Sequence, residues 1–206
     1  MAKPLVVDLL RHGAVDAERW AFRGGGTDIA LSVDGWQQME RVAAQLPWAQ
    51  VDEVVSSPMQ RCLQPAEKFA RRYQAGWREL ASMREIHFGL WEGRSWEELA
   101  DNDRPQLDRF WRDPTGCVPP EGEPFDHFVT RVVTGWQRWV AGGCGHRLLI
   151  AHGGVIRVVL AHLLQMPVAA LWSLDLPYAS WSRVSLLEGH APRLLFLNPL
   201  PLEVSS

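Results

Sequence analysis

Cysteine is scarce in this 206-residue chain. Cys62, Cys117 and Cys144 are odd in number and far apart, which excludes a disulfide framework and offers no zinc-ligand spacing. Such thiols suit a reducing compartment. Positive charge is not in excess either. Lys and Arg number 21 against 24 Asp and Glu, a formal net charge of −3. A polyanion-binding face spread over the whole surface is therefore excluded, while a local cationic pocket is not. Arg71-Arg72 is only a pair, so no nucleic-acid partner is expected. Long apolar runs are missing as well. Residues 5–10 contain Asp8 and end at Arg11, and the stretch 155–166 is broken by Arg157, His162 and Gln165. Neither reads as a targeting segment or a membrane span, so the expectation is a soluble, cytoplasmic protein with no membrane partner. With 17 Gly and 14 Pro, no internal repeat and no charge block, nothing marks a low-complexity segment.

What is present is enough apolar material for a core: 47% hydrophobic residues against 22% charged. Short β-type runs at 5–10, 51–56, 146–151, 183–187 and 193–197 alternate with longer helical patterns, which predicts parallel strands joined by crossover helices. One helix opens at Asp34-Gly35, with Trp36, Met39, Val42, Ala43 and Leu46 at helical spacing. A second follows Ser57-Pro58, where Ser is the expected N-cap and Pro suits the first turn. A third follows Gly153-Gly154 through Val155, Val158, Val159 and Leu163. The stretch from about 91 to 145 differs. It is rich in aromatics, broken by Pro114, Pro119-Pro120 and Pro124, and reads as helices near 94–102, 104–112 and 124–141 with no strand. The expected architecture is α/β, a three-layer α/β/α fold with a mostly parallel central sheet. Residues 1–206 form one domain, and 91–145 form a helical cap insertion over the strand C-terminal ends, where open α/β sheets place ligands.

The compositional oddity is tryptophan, 11 of 206 residues. Core filling explains it blandly. Aromatic walls around a ring-bearing substrate explain it sharply, since aromatic faces stack on rings. Both readings stand open, with Trp91, Trp96 and Trp111 as the wall candidates.

Four short segments carry chemistry. Leu10-Arg11-His12-Gly13 follows the first strand and sets a forked cation beside an imidazole, a pair that repels a metal but suits a phosphate. Ser56-Ser57-Pro58-Met59-Gln60-Arg61 puts Arg61 on the first turn of a helix, where anions are favoured. Ala151-His152-Gly153-Gly154 repeats the His-Gly turn after another strand, its glycines expected to expose N–H groups to an anion. Each alone is an ordinary strand-end or helix-surface feature; two His-Gly turns with two arginines are not. A pocket so rich in Arg has no proton to give a leaving alkoxide, so a carboxylic acid must supply it. Glu85 and Glu92, in Arg84-Glu85-Ile86-His87-Phe88-Gly89-Leu90-Trp91-Glu92-Gly93, are the candidates.

Taken together, Arg11-His12-Gly13, Ser57-Pro58-x-x-Arg61, Glu85-x-x-Phe88-Gly89-x-Trp91-Glu92-Gly93 and His152-Gly153-Gly154 resemble the histidine phosphatase superfamily, the phosphoglycerate-mutase-like group that works through a phosphohistidine. Gly25-Gly26-Thr27-Asp28-Ile29-Ala30-Leu31-Ser32, then Gly35, is similar to that group's loop between first strand and first helix. The Phe-Gly-x-Trp-Glu-Gly element and the short length resemble the α-ribazole phosphatase branch, which acts late in cobalamin assembly. The resemblance implies His12 as nucleophile, Arg11, Arg61 and a protonated His152 on the phosphoryl group, Thr27 and Gly153 as further phosphate contacts, and Glu85 as proton donor. It implies no metal, no cofactor, and a small-molecule phosphomonoester as substrate. One departure stands out: Glu18 falls where the group has a phosphate-facing Asn, and a carboxylate there repels substrate unless it pairs with Arg23.

Three other readings use the same residues. A phosphatase for another sugar phosphate, nucleotide or phosphoprotein keeps the chemistry and changes the leaving group. A phosphoglycerate mutase needs a larger closed cap. A non-catalytic phospholigand-binding module needs neither His12 nor Glu85.

Overall fold

The computed structural model describes residues 3–15, 23–95, 97–99 and 103–198. Six strands form one sheet: β1 (Leu5–Arg11), β2 (Glu53–Ser56), β3 (Gly76–Glu79), β4 (Gly145–Ala151), β5 (Trp181–Leu186) and β6 (Arg193–Leu197). Their order is β3-β2-β4-β1-β5-β6. β1, β2, β3 and β4 pair in parallel, and β5 runs against both of its neighbours, β1 and β6. The mostly parallel sheet read from the alternating runs is present. β3 has no counterpart in that reading, because all four of its residues are exposed and carry no apolar alternation.

The described residues form five helices: α1 (Val33–Ala43), α2 (Gln60–Tyr73), α3 (Asp103–Arg112), α4 (Phe125–Val140) and α5 (Gly153–Leu164). Side chains alternate across the strands, so each face builds its own core. On one face Val7, Leu9 and Leu149 meet Val155, Val158 and Val159 of α5 and Phe128, Val132 and Trp136 of α4. On the other, Leu10, Leu148 and Ile150 meet Met39 and Val42 of α1 and Ala66 and Phe69 of α2. The result is three layers, α/β/α. α5 is buried nearly all round because it also packs on α4 and on the 3₁₀ turn Val168–Ser173.

Two helix starts refine the sequence reading. α1 begins at Val33 behind Ser32, whose hydroxyl accepts from Gly35 N–H at 3.0 Å. α2 begins only at Gln60, so Ser57 is not its N-cap; that hydroxyl serves the site described below. The expected helix at 94–102 falls partly on residues outside the described ones, whereas α3 and α4 lie where the pattern places them. All three cysteines are free, and no helix among the described residues is long and apolar enough to cross a membrane.

The sheet contains one buried carboxylate. Asp8 accepts from His146 Nε2 (2.7 Å), Trp181 Nε1 (2.7 Å) and Arg183 Nε (2.7 Å), tying β1 to β4 and β5. Burial alone would raise its pKa, but these hydrogen bonds outweigh burial and hold it below the usual carboxyl value. A lowered folded-state pKa adds stability above the unfolded pKa that is lost as pH falls through the folded one. Asp8→Ala is therefore expected to cost about 3 kcal/mol at pH 7, by stranding its buried partners. In urea titrations at several pH values, Asp8→Asn should flatten the loss of stability below about pH 4.

Candidate active site

The carboxyl ends of β1, β2 and β4 lie side by side, and each continues into one of the predicted segments. His12 N–H donates to Ala151 O (3.0 Å) and Ser57 N–H to Ile150 O (3.0 Å), so His12, Ser57 and His152 are locked next to one another by extensions of the strand ladder. Gly13 permits the turn: a Cβ there would stand 2.3 Å from Gly35 O at the start of α1.

His12 is buried, and its Nδ1 lies 2.7 Å from Gly13 O. A carbonyl only accepts, so Nδ1 carries the proton and Nε2 keeps its lone pair. Burial, then the charges of Arg61 and Arg11, push the His12 pKa well below the ordinary imidazole value. His12 is neutral at pH 7, as a nucleophilic imidazole must be.

The His152 ring meets His12 edge-on, with ring centroids 5.2 Å apart. Arg61 Nε–H donates to His152 Nδ1 at 3.3 Å, which leaves the ring proton on Nε2, 2.6 Å from Ser57 Oγ. His152 is neutral in this arrangement. Complete burial, then Arg61, His12 and Arg11, drive its pKa well below the ordinary value, and Nδ1 is occupied as an acceptor. Arg61 is itself fully buried, its other donors on Thr27 O (3.1 Å) and Gly24 O (2.9 Å). The guanidinium thus stitches the 24–27 loop to α2 and β4 directly behind His12.

In front of His12 opens a cavity of about 230 Å³. Arg11, His12, Glu85, Gly153 and Gly154 line one end, and Phe110, Trp111, Phe125, Phe128 and Trp172 the other. The Arg11 guanidinium sits 4.3 Å over the Tyr178 ring and donates to Leu176 O, while its buried Nε has no hydrogen-bond partner among the described residues. A buried donor without an acceptor beside a neutral imidazole fits an oxyanion. Glu85 Oε2 accepts from Gly154 N–H (3.0 Å) and Oε1 from Ile86 N–H (3.1 Å). Burial raises the Glu85 pKa and outweighs these bonds, which favours the proton-carrying form. Glu92, the other carboxylate candidate, is committed to the loop: it accepts from Gly26 N–H (3.0 Å), Phe88 N–H (2.9 Å) and Thr27 Oγ1–H (2.6 Å).

Arg11, His12, Glu85 and Gly153 therefore meet in one cavity, with Arg61 and His152 immediately behind. Thr27 does not join them; its hydroxyl faces Glu92 and its carbonyl holds Arg61. Nor does Gly154 offer its N–H to an anion, since Glu85 takes it. Trp91 is corrected too: it is 1% exposed and packs edge-on against Phe110 inside the core, so it is no substrate wall. Trp96 and Glu18 lie outside the described residues. Trp111 does line the cavity, joined by Trp172, Tyr178, Arg23 and Arg157, which sequence reasoning missed. Arg157 alone had a signal, lying one helical turn beyond Gly153 on the helix that follows His152.

This arrangement of two neutral imidazoles at strand ends, with Arg11 and the buried Arg61 beside them, defines a phosphoryl-transfer site of the phosphohistidine type. The model of the histidine phosphatase superfamily, branch 1, matches residues 7–199, so the chain belongs to that superfamily and is a phosphatase. It is 29% identical over 184 residues to an adenosylcobalamin/α-ribazole phosphatase of Salmonella typhimurium, covering 89% of this chain and 91% of the relative. It is 30% identical over 187 residues to a glucosyl-3-phosphoglycerate phosphatase of Mycobacterium tuberculosis, covering 86% and 83%. The crystal structure of the α-ribazole phosphatase from Shigella flexneri shares the fold, with a TM-score of 0.81 at 23% identity over 94% of this chain and 96% of that one.

The contact between α5 and Glu85 makes a direct test. A Cβ on Gly154 would stand 2.4 Å from Glu85 Oε1. Gly154→Ala should displace the carboxylate in a crystal structure and lower kcat about tenfold or more, with a far smaller change in urea midpoint.

Proposed function

We propose that the protein hydrolyses a small phosphomonoester by forming phospho-His12, and that its substrate carries a flat ring on the leaving group, with α-ribazole 5′-phosphate or cobalamin 5′-phosphate the first candidates. The observation that carries this reading is the two-ended cavity, anion-seeking at His12 and aromatic at Trp111 and Trp172. The Salmonella typhimurium relative's activity agrees with it. The three free thiols suit a reducing cytoplasm.

In the first step the Nε2 lone pair of His12 attacks phosphorus in line, a P–N bond forms, and the P–O bond to the leaving group breaks. Glu85 gives its proton to the departing oxygen. Arg11, Arg61 and His152 stabilise the equatorial oxygens; Arg61 spends three of its five donors on protein acceptors. His152 is neutral before substrate arrives, and a phosphoryl dianion against its ring favours the protonated form. In the second step water attacks phospho-His12, Glu85 takes a proton from that water, and inorganic phosphate leaves with His12 restored. The charge stabilisation comes from guanidinium groups, so the scheme uses no metal ion. Of the expected 91–145 cap, α3 is the part that supplies Trp111 to the cavity, while α4 packs on the sheet beside α5.

The substrate test is phosphate release from α-ribazole 5′-phosphate, 3-phosphoglycerate and an aryl phosphate in EDTA, with His12→Ala as control. Preference for α-ribazole 5′-phosphate, abolished in the variant, is expected; preference for 3-phosphoglycerate would contradict the ring. The pH profile of kcat/KM should be a bell, because His12 must be unprotonated and Glu85 protonated. Its acid limb lies below the ordinary imidazole pKa and its alkaline limb above the ordinary carboxyl pKa. Glu85→Gln should remove the alkaline limb and lower kcat roughly 10²–10⁴-fold, least for leaving groups that need no proton.

A further inference from the structure

Arg157 occupies the junction between the two ends of the cavity. A Cβ built on Gly153 would meet Arg157 Nη1 at 2.8 Å and Arg11 Nε at 3.4 Å, so the two guanidinium groups flank the same glycine. On its other side the Arg157 guanidinium lies 5.6 Å from the Trp172 ring centre. Trp172 in turn meets Trp111 edge-on at 4.7 Å and anchors its Nε1 on Phe110 O at 3.3 Å. Arg157 thus borders the phosphoryl end through Gly153 and the aromatic end through Trp172. One donor, Nε, is spent on Leu174 O (3.0 Å). Asp175 attracts the guanidinium and partly balances its charge. Its remaining N–H groups border the cavity as directional donors.

We infer that Arg157 and Trp172 divide the leaving group between them: Arg157 donates to the hydroxyl or ether oxygens of a sugar that joins the phosphate to a ring, and Trp172 takes the face of that ring. The substrate class is a phosphomonoester of a ring-bearing sugar, of nucleotide-like build. A bare aryl phosphate would leave the Arg157 donors unmatched, and a bare sugar phosphate would leave the aromatic wall unfilled. The inference rests on the phosphohistidine reading above, and names the residues that read the leaving group.

Steady-state kinetics with phenyl phosphate, ribose 5-phosphate and adenosine 5′-monophosphate as probes separate the two roles. Arg157→Met keeps an unbranched apolar stem against Trp172. It should raise KM about tenfold for ribose 5-phosphate and adenosine 5′-monophosphate, the loss of a charge-assisted hydrogen bond, and move phenyl phosphate at most a third as far. Trp172→Leu should do the reverse, raising KM about tenfold for the two ring-bearing probes and moving ribose 5-phosphate at most a third as far. Adenosine 5′-monophosphate alone should respond to both. Equal losses on all three probes, or none, would overturn the inference. If Arg157→Met does not fold by circular dichroism, Arg157→Lys replaces it, with the same order of effects at threefold or more expected and an even effect contradicting the division. His12→Ala separates the two levels of argument. Turnover that survives in that variant defeats the phosphohistidine reading itself, whereas His12-dependent turnover without the split defeats only this inference.

Discussion

Two neutral imidazoles 5.2 Å apart, set among the guanidinium groups of Arg11 and buried Arg61, are the arrangement on which the rest of this structure depends. Cations crowded into a dry site repel one another, and each must find acceptors or be expelled. The chain answers with main-chain carbonyls: Gly24 and Thr27 for Arg61, Leu176 for Arg11, Leu174 for Arg157. Loops that look idle in sequence are therefore the ligands of the arginines. The field of those arginines, added to burial, keeps His12 unprotonated, and burial raises the Glu85 pKa. One environment sets a base and an acid in opposite directions, which is what a two-step phosphoryl transfer requires.

The fold serves that arrangement through the parallel ladder. His12 is held by Ala151, and Ser57 by Ile150, so the site inherits the rigidity of the strands instead of depending on loop packing. Glycine contributes at two close approaches within the site, Gly13 against the Gly35 backbone and Gly154 against the Glu85 carboxylate. The Asp8 network does similar service lower in the same strands, fixing β5 against β1 through Arg183 and Trp181.

Much of this is legible in the chain. Five of six strands show as apolar runs; His12, Arg61 and His152 are found from strand-then-glycine and strand-then-helix punctuation, and Glu85 as one of two carboxylates, singled out by the family resemblance. β3 escapes because an exposed edge strand need not alternate. The direction of β5 escapes because an apolar run has no polarity. Ser57 reads as a helix cap and is instead the partner of His152, since a hydroxyl that suits one hydrogen bond suits the other. The charge state of His152 depends on burial and on Arg61, 91 residues away, which no local pattern records. Tryptophan divides between both readings of its abundance. Trp91 and Trp136 fill the core, while Trp111 and Trp172 line the cavity, and composition cannot say which is which. Tyr178, stacked on Arg11, sits in a loop without periodicity or motif.

The central claim is that His12 carries the phosphoryl group. Rapid quench of a single turnover with a ³²P-labelled phosphomonoester tests it most directly, with the labelled protein then digested and mapped. The account predicts a transient label that survives base, is lost in acid, and maps to the peptide containing His12. Label on a hydroxyl or carboxyl side chain, or full turnover with no labelled protein at any time, would contradict it.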